Sequence, residues 1–353
     1  MNRWLMLSMA AWPALASAAP AEMAYYEDSG SLPSLKAEAG TLGIVAADLF
    51  DVDINGKVTG RVPGKVTSIT TAHGITLLAT VSNWAGNGFK ANIATAVLTP
   101  GAAQDQAVAG MVAVAGMVAV AQKTIGGINV DFEAVPHKER ALYTAFVQRL
   151  ATALHENGRI LVLSVPAKTA DDPNDSWAGA YDYAALGGIA DTLQVMTYDE
   201  NGPWGPPGPV SGLDWMTACL SYAESVVPTA KISLGFPAYG YDWNLTNGGG
   251  STIAWNQVPA LIAKTGAVPQ WDAPTSSPWF SYTTTNGTSH VVWYESSRSI
   301  KLKASLAANN SVGSVSVWAL GLDDPSYWKA IAAGFGESGQ GSVPDPHNKE
   351  SLQ

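Results

Sequence analysis

The sequence predicts an α/β protein closed into a (β/α)8 TIM barrel, and three observations carry that prediction. Eight strand-like runs alternate with helix-like stretches over about 250 residues. Several runs end in polar or aromatic residues, namely Asn83-Trp84, Asp131 and Glu133, Tyr198-Asp199, Tyr239 and Trp318. That is the end at which barrel enzymes gather their active sites. No glycine-rich phosphate loop follows a strand, as a doubly wound sheet would usually show.

The chain opens with Arg3, an apolar run from Trp4 to Leu15, and Ala16-Ser17-Ala18 before Ala19. This reads as a signal peptide over residues 1–18, too short and wrongly flanked to anchor in a membrane, so a secreted or periplasmic protein is expected. No later run offers roughly 18 uncharged apolar residues beside basic flanks. The eight strand-like runs are Met23 to Tyr26, Leu42 to Leu49, Ile75 to Ser82, Ile128 to Glu133, Ile160 to Pro166, Thr192 to Tyr198, Ile232 to Pro237 and Val315 to Leu320. Between the third and fourth, Ala107 to Val112 is repeated as Ala113 to Val118. Six residues are not a whole number of helical turns, so the copy turns the helix face by about −120°.

The span Asn244 to Glu295 is too long for one barrel loop. Trp279 to Thr285 and Thr288 to Glu295 flank Asn286-Gly287, the signature of a hairpin with a type I′ turn. Ser296 or Ser297 then caps a helix through Leu306. We expect a barrel over residues 19–335, a small inserted hairpin lobe over 244–295 after strand 7, and a disordered tail over 336–353, rich in Gly, Ser, Pro and charge.

The most informative stretch is Gly126 to Glu133. Strand side chains alternate, so Asn129, Asp131 and Glu133 share one face and Ile128, Val130 and Phe132 the other. Neighbours two apart lie ~6.6 Å apart along the strand, so the carboxyls of Asp131 and Glu133 can meet. Burying paired acids is costly unless chemistry uses them. With Lys+Arg 19 against Asp+Glu 29 the chain is acidic, which argues against nucleic acid or an anionic membrane as partner. The lone Cys219 sits in a helical pattern and reads as a buried structural thiol. His73, His137, His155, His290 and His347 are scattered without ligand spacing, so no metal is expected.

GGINVDFE, Gln194-Val195-Met196-Thr197-Tyr198-Asp199 and Trp318 on the eighth strand together resemble glycoside hydrolase family 18, the chitinase-like hydrolases. The resemblance covers nearly the whole chain between the leader and the tail. Val291 to Glu295 and Pro207-Gly208-Pro209-Val210 resemble the branch of spore-cortex-lytic and peptidoglycan N-acetylglucosaminidases. No LysM-type wall-binding module is visible. The family's acidic strand reads D-x-x-D-x-D-x-E, which places Gly126 where a first Asp is expected and Asn129 where Asp or Asn is found. The absent carboxyl at Gly126 is expected to alter how Asp131 exchanges its proton. Ser82-Asn83-Trp84 replaces the Ser-x-Gly-Gly signature of many chitinases.

The resemblance implies a retaining, substrate-assisted glycosidase, an exception to the rule of two catalytic carboxylates. Glu133 would be the acid, Asp131 would hold the sugar's acetamido N–H, and Tyr198 would donate to its carbonyl oxygen. Asn129, Gln194, Met196, Asp199, Tyr239, Trp318 and Trp84 would contribute to substrate binding, with Trp318 as the apolar floor. Trp84, Tyr239, Trp204 and Trp243 would stack on further sugars. No cofactor is implied. The expected partner is an N-acetylglucosamine-containing polysaccharide, peptidoglycan or chitin, acted on by a monomer. Two readings compete: a lectin-like relative that kept the barrel and lost turnover, and a barrel for phosphate-bearing substrates. Lectin-like relatives usually lack the acid at Glu133, and the strand ends carry no basic residues to suit phosphate.

Overall fold

A computed structural model describes residues 21–122 and 126–337. The expected leader and most of the expected tail lie outside these residues. Eight parallel strands form the sheet: β1 (Ala21–Tyr26), β2 (Ile44–Val52), β3 (Thr76–Ser82), β4 (Gly127–Asp131), β5 (Ile160–Pro166), β6 (Thr192–Met196), β7 (Ile232–Pro237) and β8 (Ser314–Trp318). Each pairs with the next, and β1 pairs with both β2 and β8, so the sheet closes on itself. This is the (β/α)8 barrel the sequence predicts. Strand ends shift by a few residues. Both β4 and β6 stop two residues short of their expected ends, so Glu133 and Tyr198 sit on the loops just beyond.

Helices cover the barrel through apolar faces with helical spacing. In the helix Arg140–Glu156, Tyr143, Phe146, Val147, Leu150 and Leu154 are buried against the sheet. Each of the larger apolar ones contributes about 1.5–3 kcal/mol through burial. Gly127 opens β4 because a Cβ there would lie 2.1 Å from the carbonyl oxygen of Ile160 on β5. The duplicated segment falls in one helix, Ala102–Gln122. The copy does turn its face, since Met111 is fully buried while its counterpart Met117 is 62% exposed. Cys219 is buried, and burial pushes its thiol up to about 12, which fits a structural role. Among the described residues no helix is long and apolar enough to cross a membrane.

The excursion after β7 is a five-stranded antiparallel sheet. It begins at Tyr239, ahead of the expected Asn244, because Tyr239–Asn244 is its first strand. Strands Ser277–Thr283 and Ser289–Trp293 form the expected hairpin, with Thr283 opposite Ser289. The turn differs from type I′, which needs positive φ at both Asn286 and Gly287. Only Gly287 has it, at 86°. The Asn286 side chain instead accepts from the Thr288 amide at 3.3 Å, and the connection widens. Ser296 caps the following helix, Ser297–Asn309. A buried Lys303–Glu295 pair at 2.8 Å pins the lobe's end to that helix. The final helix runs through Glu337, so the chain is helical past the expected start of the tail at Gly336.

Candidate active site

The barrel interior is built in layers by strand alternation. At its base, Met23, Ala46, Leu78 and Val162 form an apolar plug. Above it runs a polar layer. Thr80 donates to Asn129 Oδ1 at 3.2 Å, and Asn129 Nδ2 donates to Ser164 Oγ at 3.0 Å. Ser164 lies 3.0 Å from the Tyr25 hydroxyl, which donates to Gln194 Oε1 at 3.2 Å. Gln194 Nε2 in turn donates to Ser316 at 3.0 Å. These buried groups satisfy one another and stiffen the floor on which the carboxyls stand.

Asp131 ends β4 one layer higher, and Glu133 follows on the loop. Asn83 clamps the Glu133 main chain, accepting from its N–H at 2.9 Å and donating to its carbonyl at 2.8 Å. The Tyr181 hydroxyl donates to the adjacent Phe132 carbonyl at 2.6 Å. Tyr198 fits beside β7 because position 235 is glycine, where a Cβ would lie 2.8 Å from the Tyr198 ring. Tyr239 and Tyr241 both donate to Asp199 Oδ1, at 2.6 and 2.7 Å.

Two cavities meet at Glu133. One, about 510 Å³, is lined by Asp131, Asp48, Tyr25, Trp84, Tyr239 and Trp318 among others. The second, about 610 Å³, is lined by Pro166, Ala167, Trp177, Trp204 and Trp215. Glu133, Met196, Tyr198, Asp199 and Phe89 face both. Together they form one cleft across the C-terminal mouth of the barrel.

Burial, with the charges of Asp199 and Asp48, lifts the Glu133 carboxyl to about 7. Burial and the Glu133 charge lift Asp131 well above the ordinary carboxylate range. Burial followed by the charges of Asp131, Glu27 and Asp51 lifts Asp48 to about 8. An acid that titrates near 7 can give a proton and take one back at neutral pH. Among the described residues there is no group of three or more His, Cys, Asp or Glu that could hold a metal ion.

Most residues singled out from the sequence therefore gather in one cleft: Glu133, Asp131, Tyr198, Met196, Asp199, Tyr239, Trp318 and Trp84. Asn129 and Gln194 do not face it. Both are fully buried one layer down, where they hold the floor together. Trp243 offers no platform, being 3% exposed with its indole N–H directed at the carbonyls of Gly202 and Gly205. Gly126 precedes the base of β4, five residues or ~16 Å below Asp131. A carboxyl there would not touch Asp131, so any effect on its proton would pass through the residues between them. Among the cleft residues that escaped the sequence reading are Tyr25, Trp177 and Asp48. The signal at Asp48 is an acid that continues the inward-facing set Ile44 and Ala46 in a largely apolar strand.

A closed parallel barrel with neighbouring buried carboxyls at its C-terminal mouth defines a class, the barrel enzymes that work by acid–base chemistry. Residues 46–323 match Glycosyl hydrolases family 18, and the chain belongs to that family. It is similar to the Bacillus subtilis (strain 168) glycosylase YvbX, uncharacterized itself, at 37% identity over 87% of this chain and 89% of that protein. A cortical fragment-lytic enzyme of Bacillus anthracis is 29% identical over 77% of this chain, which spans 63% of that enzyme's length. Among solved structures, a chitinase from Chromobacterium violaceum ATCC 12472 superposes with a TM-score of 0.83 at 43% identity, covering 90% of this chain and 99% of that one. The spore cortex-lytic enzyme SleL of Bacillus cereus gives 0.82 at 26% identity, covering 90% and 74%. The chain is a family 18 glycosidase with chitinase and cortex-lytic relatives.

Proposed function

We propose that the protein hydrolyses β-1,4 bonds next to N-acetylglucosamine, with retention of configuration, using the substrate's own acetamido oxygen as nucleophile. The carrying observation is that Asp131 and Glu133 come from one strand end, two residues apart, and face one cavity. Both carboxyls then lie on the same side of the scissile bond, with no protein nucleophile across the ring. Glu133, titrating near 7, protonates the glycosidic oxygen as the bond breaks. The acetamido oxygen closes on the anomeric carbon to give an oxazolinium ion. Asp131 accepts the acetamido N–H and balances the positive charge, and Tyr198 donates to the acetamido oxygen. Glu133 then takes a proton from water as it opens the ring. Trp318 is the apolar surface under the reacting sugar, and Tyr239 and Asp199 hold its neighbours.

Of the two polymers, chitin fits the cleft better. No lysine, arginine or histidine is among the residues lining either cavity, while several carboxyls are. A muramic acid residue brings its own carboxylate into that field, and N-acetylglucosamine does not. Peptidoglycan remains the second reading, supported by the likeness to the cortical fragment-lytic enzyme. A lectin-like protein without turnover is disfavoured by the presence of Glu133. The test is to incubate purified protein with chitin oligosaccharides and with peptidoglycan strands and weigh the products. Chitobiose-sized fragments from the first and little from the second are expected; release of muramyl fragments alone would reverse the assignment. We further propose export through the leader at residues 1–18, which N-terminal sequencing of the protein recovered outside the cytoplasm would test.

A further inference from the structure

Asp48 lines the catalytic cavity from β2, and the reaction above gives it no task. Its Cα is in register with Thr80 on β3, which is in register with Asn129 on β4. Its side chain therefore belongs to the layer just beneath Asp131. Interior side chains of a barrel meet in layers fed by alternate strands, which makes β2 and β4 partners in one layer.

Asp131 has an unmet need that this placement answers. Its Oδ1 is buried and has no hydrogen-bond partner. A buried carboxylate oxygen without a donor is costly, yet Asp131 must be ionised to balance an oxazolinium. Asn129 cannot supply the donor, because its amide nitrogen is already directed at Ser164 Oγ (3.0 Å) and the Val162 carbonyl (3.5 Å). Glu133 must spend its proton on the leaving group. Of the other groups facing Asp48, Glu27 from the end of β1 and Asp51 from β2 are further carboxyls, with Asp51 accepting from Ser82 at 2.8 Å. Asp48 is the carboxyl that holds its proton to about 8, and it does so because of burial and then the charges of Asp131, Glu27 and Asp51.

We propose that Asp48 is the positioning partner of Asp131. In the substrate-free enzyme its protonated carboxyl donates to Asp131, keeping Asp131 ionised beside a protonated Glu133. When sugar binds, Asp131 turns its oxygen to the acetamido N–H. The proton stays on Asp48 throughout, so no net transfer is involved. Asp48 thus takes the place of the carboxyl that Asn129 is not.

This inference rests on the proposed chemistry, so its test has two arms. In the first, pH profiles of kcat/KM on a chitin tetramer are compared for the parent, Asp48→Asn and Asp48→Ala. The acid limb reports protonation of Asp131. Asp48→Ala removes the donor, and the limb moves up by about one pH unit, roughly a tenfold loss at pH 5. Asp48→Asn still donates through its amide, and its acid limb overlays the parent's. Limbs that stay put in both variants, or equal losses in both, would overturn the proposal. The second arm needs no activity: infrared titration of the substrate-free protein follows the protonated carboxyl band. The parent keeps a band between pH 7 and 8 that Asp48→Asn lacks. A parent without an Asp48-dependent band refutes the inference, while a band in a protein that cleaves no glycan refutes only the proposed function.

Discussion

The two halves of the cleft meet at Glu133 and differ in what dominates their walls. Toward β1 and β2 the walls carry Glu27, Asp48, Asp51 and Asp131, and burial raises Glu27, Asp48 and Asp131. Toward β5 and β6 the walls are mainly Pro166, Ala167, Trp177, Trp204 and Trp215, with Glu200 beside them. The acidic half rests on the hydrogen-bonded floor of the barrel. The aromatic half is carried largely by loops, with Trp215 on the helix Leu213–Val226. Lys168 braces the loop beyond β5 by donating to Asp171 and to the Tyr181 carbonyl, and Arg140 joins Asp171 and Asp182 from the side. Trp204 stands 71% exposed at the rim. Charge buried on a rigid floor suits a reaction, and flat apolar rings at an open rim suit holding successive sugars. The contrast assigns rate to one half and affinity to the other.

The strongest way to break that division is at the junction. Glu133→Gln removes the proton donor and keeps the shape. Turnover should fall on the order of a hundredfold or more while the protein still binds chitin oligosaccharide. Steady-state kinetics with a binding titration would check both, and undiminished turnover would remove Glu133 from the reaction.

A smaller effect is expected on the aromatic side. Trp204→Ala forfeits one stacking surface worth about 0.5–1.5 kcal/mol, so KM for a long oligosaccharide should rise roughly 2- to 10-fold with kcat unchanged. A fall in kcat at constant KM would show that this half also shapes the transition state.

The smallest effect is on stability. Asp48 and Glu133 bind protons more tightly folded than unfolded, being raised to about 8 and about 7. Their stabilising contribution is complete below the unfolded carboxyl range near pH 4 and is lost as pH rises through 7 to 8. The unfolding temperature should therefore drop between pH 5 and pH 8.5, and drop less in Asp48→Asn. The scale is about 2–4 °C for each 1 kcal/mol recovered, as in domains of 150–250 residues. Parallel melting curves for parent and variant would contradict the buried-charge account of the acidic half.

The two halves also differed in how far the sequence disclosed them. The face carrying Asp131 and Glu133 was legible because strand alternation is local and the opposite face is apolar. Alternation names a face but not a depth, which is why Asn129 and Gln194 were expected at the sugar and lie beneath it. Asp48 was hidden because only barrel closure and inward curvature bring β2 near β4. Trp177 sits in an irregular loop between Asp171 and Asp182. Arg140, at the start of the helix after β4, holds both, a contact across thirty or more positions that no local pattern discloses. Trp243 looked like a platform because it follows a strand end, yet the antiparallel sheet that buries it is assembled from strands up to fifty residues away. Gly126 matched a motif position, and the strand rise alone puts it too far from the mouth to touch Asp131.

The central claim is that the sugar's own acetamido group, not a protein carboxylate, attacks the anomeric carbon. It is tested most directly by comparing one aryl β-glycoside of N-acetylglucosamine oligosaccharide with the same compound de-acetylated at the reacting sugar. The account predicts cleavage of the first, loss of at least about a hundredfold in kcat/KM for the second, and inhibition by a thiazoline mimic of the cyclic intermediate. Comparable cleavage of both, or a glycosyl adduct on Asp131 in the mass spectrum, would contradict it.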